Sequence, residues 1–121
     1  MKKYLRVRKR ADFVRISRGG FCFRSNSMVM LCGNNGLDHY RMGFTASKKV
    51  GNAVVRNRCK RRMRAAADTV LKSVGLAGVD YVFIAKKRTF GAVWLDLVCE
   101  ATAGVSFLNN KVFQCEKRQS V

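Results

Sequence analysis

Arg56-Asn57-Arg58, followed by Lys60-Arg61-Arg62 and Arg64, is the densest chemistry-bearing stretch of the chain. Guanidinium groups at this spacing suit two-pronged contacts with phosphate, which lysine cannot make. Asn57 among them both donates and accepts, so it can meet a base edge or a ribose hydroxyl. Ser47-Lys48-Lys49 stands a few residues upstream. It lacks the glycine pattern of a nucleotide-binding P-loop, and no nucleotide site is expected there.

Charge elsewhere supports the same chemistry. Lys plus Arg number 25 against 7 Asp plus Glu, a net charge of +18 over 121 residues. Before Leu37 the only acid is Asp12, and between His39 and Ala67 there is none. A solvated surface normally mixes both signs. An unmixed basic stretch points to a polyanionic partner, with nucleic acid ahead of an anionic membrane surface.

Other chemistries find little support. The five cysteines are odd in number and none is in C-x-x-C spacing, and with one histidine neither a disulfide framework nor a zinc site is expected. Cys32 or Cys99 as a nucleophile has only His39 to activate it. His39 follows Asp38 in a loop and is expected to be simply exposed. The few, scattered acids do not form the carboxylate cluster a metal-dependent nuclease needs. No apolar run approaches the ~20 residues that span a membrane, and no apolar segment follows the basic start as in a secretory signal. A reduced, cytoplasmic protein fits this usage of cysteine.

The elements that must position the basic residues can be read from periodicity. Asn52 to about Val74 reads as a long helix, with Val55, Cys59, Met63, Ala66, Ala67, Val70 and Val74 on one face. Arg58, Lys60, Arg61 and Arg64 fall opposite with Asn57, and Arg56 and Arg62 lie at the seams. The first turn has no acid, contrary to what the helix dipole favours, and a bound anion would resolve that conflict. Ala11–Arg18 reads as a short helix stopped by Gly19-Gly20, with Phe13 and either Ile16 or Ser17 on one side. Phe21–Phe23, Met28–Cys32, Tyr40–Ala46 and Tyr81–Ala85 read as strands. Ala92 to Phe107 reads as a last helix, weakened by Gly104, with Val93, Leu97, Val98, Ala101 and Val105 near one face. Phe21, Phe23, Phe44, Phe83 and Trp94 are expected in the core or half-buried. The order α-β-β-β-α-β-α makes one domain over residues 1–121, an α+β two-layer sandwich. Residues 1–10 form a basic arm and about 110–121 a tail.

Ser47 to Arg64, centred on Arg56-Asn57-Arg58, resembles the signature of the bacterial ribonuclease P protein component. The resemblance runs back through Arg41-Met-Gly-Phe-Thr-Ala and Asp12-Phe13, and forward to the Asp80–Ala85 strand. It implies a ribosomal protein S5 domain 2-like sandwich with a left-handed βαβ crossover, against the general right-handed rule. It implies a non-catalytic protein subunit, partnered by a catalytic RNA that uses Mg²⁺, bound mainly by RNA, to remove the 5′ leader of precursor tRNA. It places Lys48, Lys49, Arg56, Asn57, Arg58, Lys60, Arg61 and Arg64 on RNA, and Phe13 with Lys48 and Lys49 at the leader. Without the family, Phe13 fits a core position better than a stacking surface. Ser17 and Met30 stand where many members place aromatics in the leader cleft, and Cys59 replaces a branched aliphatic. The alternative is a structural RNA-binding protein, such as a ribosomal protein with the same sandwich.

Overall fold

A computed structural model describes residues 6–119. Three helices and four strands follow the expected order: α1 (Arg10–Gly19), β1 (Phe21–Arg24), β2 (Met28–Asn34), β3 (Arg41–Thr45), α2 (Ala53–Val74), β4 (Val79–Ala85) and α3 (Trp94–Gln119). A 3₁₀ turn, Lys87–Thr89, precedes α3. The sheet order is β1-β2-β4-β3, with β1–β2 and β2–β4 antiparallel and β3–β4 parallel across the α2 crossover.

Alternation along the strands divides the molecule into two layers of unequal thickness. Met28, Met30 and Cys32 of β2, Met42 of β3, and Val79, Tyr81, Phe83 and Ala85 of β4 join the main core beneath α2 and α3. From α2 that core takes Cys59, Met63, Ala66, Ala67, Val70 and Leu71. The opposite face carries a smaller cluster of Val7, Ile16 and Val82, with Phe13, Leu31 and Ile84 against it. Gly43 permits this second layer: a Cβ there would lie 2.9 Å from the Phe13 ring and 3.0 Å from Val7.

Several expectations change. Val74 is 46% exposed, and Leu71 takes its place in the core. Trp94 and Val93 are exposed rather than packed, because α3 begins at Trp94 and turns its buried stripe to Leu97, Ala101, Val105, Leu108 and Val112. The segment set apart as a tail beyond residue 110 continues α3 to Gln119. Gly104 does not weaken the helix at random: a Cβ there would collide with Met30 and Phe23, so glycine lets α3 lie close to the sheet. Of the basic arm, Met1–Leu5 fall outside the described residues. Its end is fixed, since Val7 donates to the Met42 carbonyl at 2.7 Å and is buried.

Two polar networks join the layers. Asp80, fully buried, accepts from Arg41 Nε (2.8 Å) and Nη2 (2.6 Å), Arg15 Nη2 (2.9 Å) and Asn35 Nδ2 (2.9 Å). Hydrogen bonding to Asp80 raises the Arg41 pKa further above its ordinary value. Across the main core, the Tyr81 hydroxyl donates to Asn109 Oδ1 at 2.6 Å and accepts from the Leu76 amide at 3.0 Å. Burial is the main reason its pKa is pushed up to about 12.

Candidate nucleic-acid interface

The 22 residues of α2 span about 33 Å. Asn52 caps the start, its side chain accepting from the Val55 amide at 3.0 Å. That cap satisfies one amide of the first turn, and no acid stands there to complement the dipole. Cys59 and Met63 point into the core, which turns Asn57, Arg58 and Arg61 to solvent. Cys59 is therefore a packing residue, and burial raises the pKa of its thiol.

The remaining cations are placed less uniformly than the helical wheel indicates. Lys60 is half-buried. Arg56 and Arg64 are half-buried too, each with a buried Nε that has no partner among the described residues. The Arg64 guanidinium lies 5.5 Å from the centre of the Phe44 ring. Desolvation, then repulsion from Arg6, lowers its pKa. Among the described residues, none of Arg56, Arg58, Lys60, Arg61 and Arg64 forms an ion pair. Arg62, in the middle of the same run, is structural: Nη1 donates to the carbonyls of Thr89 (2.8 Å) and Phe90 (2.9 Å), and Nη2 to that of Ala92.

On the other side, the sheet register forms three cross-strand rows beneath α1. Gly33, Asp80 and Arg41 make the first; Cys22, Leu31, Val82 and Gly43 the second; Arg24, Val29, Ile84 and Thr45 the third. The Asp80 network fixes α1 over the first row, and Phe13 reaches Gly43 in the second. The third row keeps Val29, Ile84 and Thr45 half-buried and leaves Arg24 exposed. Phe13 is itself half-buried, and with Arg10, Ser17 and Arg18 it lines an open concavity of about 340 Å³. Lys48 and Lys49 are exposed in the Ser47–Val50 turn. This turn leads from Thr45, in the third row, to the Asn52 cap, so the lysines lie along the chain between the sheet face and the arginine face.

Met30 is corrected by this register. It is 1% exposed and lies on the α3 side, so it is no part of the α1-side surface. Ser17 does lie on that surface, exposed beside Phe13. Asp80, Arg15 and Arg62, which shape both faces, escaped the sequence reading. The usable signal for Asp80 was a lone acid opening an otherwise apolar strand.

The arrangement can bind phosphates and bases. Among the described residues, no three His, Cys, Asp or Glu side chains come together to hold a metal ion, and no helix is long and apolar enough to cross a membrane.

Comparison with known proteins now adds to this geometry. The family model for ribonuclease P matches residues 1–106. A ribonuclease P protein component of Gluconacetobacter diazotrophicus is 43% identical over 94 residues, covering 77% of this chain and 81% of that protein. One from Streptococcus thermophilus is 41% identical over 87 residues, covering 72% and 77%. The ribonuclease P protein of Thermotoga maritima superposes with a TM-score of 0.71 at 28% identity, covering 87% of this chain and 96% of that one. The Staphylococcus aureus protein gives 0.68 at 28% identity, with 89% and 94% covered.

Proposed function

The chain belongs to the ribonuclease P protein component family, and from that premise we propose how its two faces divide the work of tRNA 5′-end processing. It is the protein subunit of a ribonucleoprotein, with an RNA partner. Membership removes the alternative of a ribosomal or other structural RNA-binding protein. The arginine face of α2 docks on the catalytic RNA through Arg58, Arg61, Asn57 and Lys60, with the half-buried Arg56 and Arg64 reinforcing it. The open sheet face beside Phe13, flanked by Lys48 and Lys49, receives the single-stranded 5′ leader of precursor tRNA.

The observation that carries this reading is the single-sign face on α2, without an ion pair among the described residues and built on a helix whose first turn has no acid. Such a face is poor for the isolated helix, where each misplaced charge costs on the order of 0.3–1 kcal/mol, and good for a phosphate backbone.

Among the described residues the carboxylates do not cluster as a metal centre would need. Mg²⁺ in this reading is held by RNA, and no chemical step runs through this chain. Cys22, Cys32, Cys59 and Cys99 are free thiols, which accords with work in a reducing cytoplasm.

Reconstitution tests the assignment. The purified protein alone should leave precursor tRNA intact, and adding the catalytic RNA encoded in the same genome should give cleavage at the tRNA 5′ end. The Arg58→Ala/Arg61→Ala protein should melt as wild type, since exposed substitutions usually stay within about ±0.5 kcal/mol. It should bind the catalytic RNA more weakly whatever leader the substrate carries. Metal-dependent cleavage by the protein alone, or unchanged RNA affinity in the double variant, would contradict the reading.

A further inference from the structure

The turn between β4 and α3 has no role in the function just described, yet it is built with care. Arg62 commits its guanidinium to the carbonyls of Thr89, Phe90 and Ala92 and so fastens the turn to α2. Thr89 is fully buried; its hydroxyl donates to the Ser27 carbonyl and accepts from the Lys86 amide at 2.9 Å. Held from both sides, the turn nonetheless leaves the Phe90 side chain 43% exposed. Arg58, an outward cation of α2, lies over that ring, 5.6 Å from its centre. Lys87 and Arg88 are exposed beside it, and the chain from Tyr81 to Leu95 contains no acid.

We propose that Phe90 and Arg58 form a stacking site for an unpaired base of the catalytic RNA, extending the α2 arginine face onto the β4–α3 turn. An aromatic ring joined to a guanidinium is the complement of a nucleotide: the ring takes the base, and the cation takes the adjoining phosphate or stacks on the base in its turn. A protein partner that buried the ring would also bury the Arg58 charge, with no acid of this turn to pair it. The continuity of Phe90 with the arginine face and the positive surroundings select RNA. Arg62 is then a positioning residue, holding the ring beside Arg58 without touching RNA.

This inference rests on the docking role of the arginine face, and salt dependence separates the two. Stacking is insensitive to salt, whereas each phosphate contact contributes to the slope of log K against log[salt]. The experiment measures binding of the catalytic RNA, without precursor tRNA, to wild type, Phe90→Leu, Phe90→Tyr, Arg58→Ala and Phe113→Leu over a range of salt, with thermal melting of each protein. Phe90→Leu should bind roughly 5- to 150-fold more weakly at every salt concentration, with an unchanged slope. Phe90→Tyr, which keeps the ring, should restore affinity. Arg58→Ala should also bind more weakly, and its slope should become shallower by about 1. Phe113→Leu removes an aromatic of similar exposure on α3, next in the chain to Val112, which lies beside Phe21 at the start of β1, and should bind as wild type. Wild-type affinity of a normally melting Phe90→Leu protein would overturn the stacking site while leaving the arginine face standing. So would a Phe90→Leu defect that appears only with precursor tRNA, or only as a change in self-association. An unchanged affinity and slope in Arg58→Ala would instead remove the role given to Arg58 in docking.

Discussion

Arginines of this chain fall into two groups that differ in what answers their charge. Arg15 and Arg41 converge on the buried Asp80, and Arg62 is held by three backbone carbonyls. Arg58 and Arg61, on the same helix as Arg62, face solvent and form no ion pair among the described residues. The first group assembles the molecule, and the second has no charged partner among the described residues. A high count of basic residues therefore does not itself measure an RNA-binding surface.

The contrast breaks most sharply at Asp80. Asp80→Asn leaves two guanidinium groups without their carboxylate, and losing one partner of a buried pair costs about 3–5 kcal/mol. Thermal melting should show a fall on the order of 10 °C or more. A protein that melts within a degree or two of wild type would deny the network its structural role.

Arg62→Gln should follow in size. It withdraws the donors that fasten the β4–α3 turn and leaves partly buried carbonyls unanswered, a loss of about 1–3 kcal/mol in stability. The same loss of charge at Arg61 should leave the melting temperature nearly unchanged. Equal melting of the two variants would erase the distinction between the groups.

The smallest effect concerns the other face. Phe13→Leu keeps most of the apolar contact with Val7, Leu31 and Ile84 while removing the ring. In reconstituted holoenzyme it should weaken binding of leader-bearing tRNA about fivefold or more and spare leaderless tRNA. Equal affinity for both, in a protein that melts normally, would take Phe13 out of the leader site.

How much of this was legible in sequence depends on the range of the interaction. The α2 faces were readable because Cys59, Met63, Ala66, Ala67 and Val70 recur at helical spacing, and the arginines fill the gaps. The four strands were readable from short apolar runs. The end of α3 was not, because Gly104 looks unfavourable until Met30 and Phe23 are seen packed against it. Met30 was assigned to the wrong side of the sheet, since one position in a strand decides the face and an uninterrupted apolar run hides the alternation. The difference between Arg62 and Arg61 is invisible in one dimension, because the carbonyls that hold Arg62 lie 27 to 30 residues away.

The central claim, that the solvent-facing cations of α2 are reserved for a phosphate backbone, is tested most directly by the salt dependence of binding to the catalytic RNA. If about six phosphates are neutralised, log K against log[salt] should fall with a slope of roughly −4 for single-stranded and −5 for duplex-like contacts. The Arg58→Ala/Arg61→Ala protein should give a slope shallower by about 2. A wild-type slope near zero, or a double variant with the wild-type slope, would show that the α2 cations are only a solvated surface.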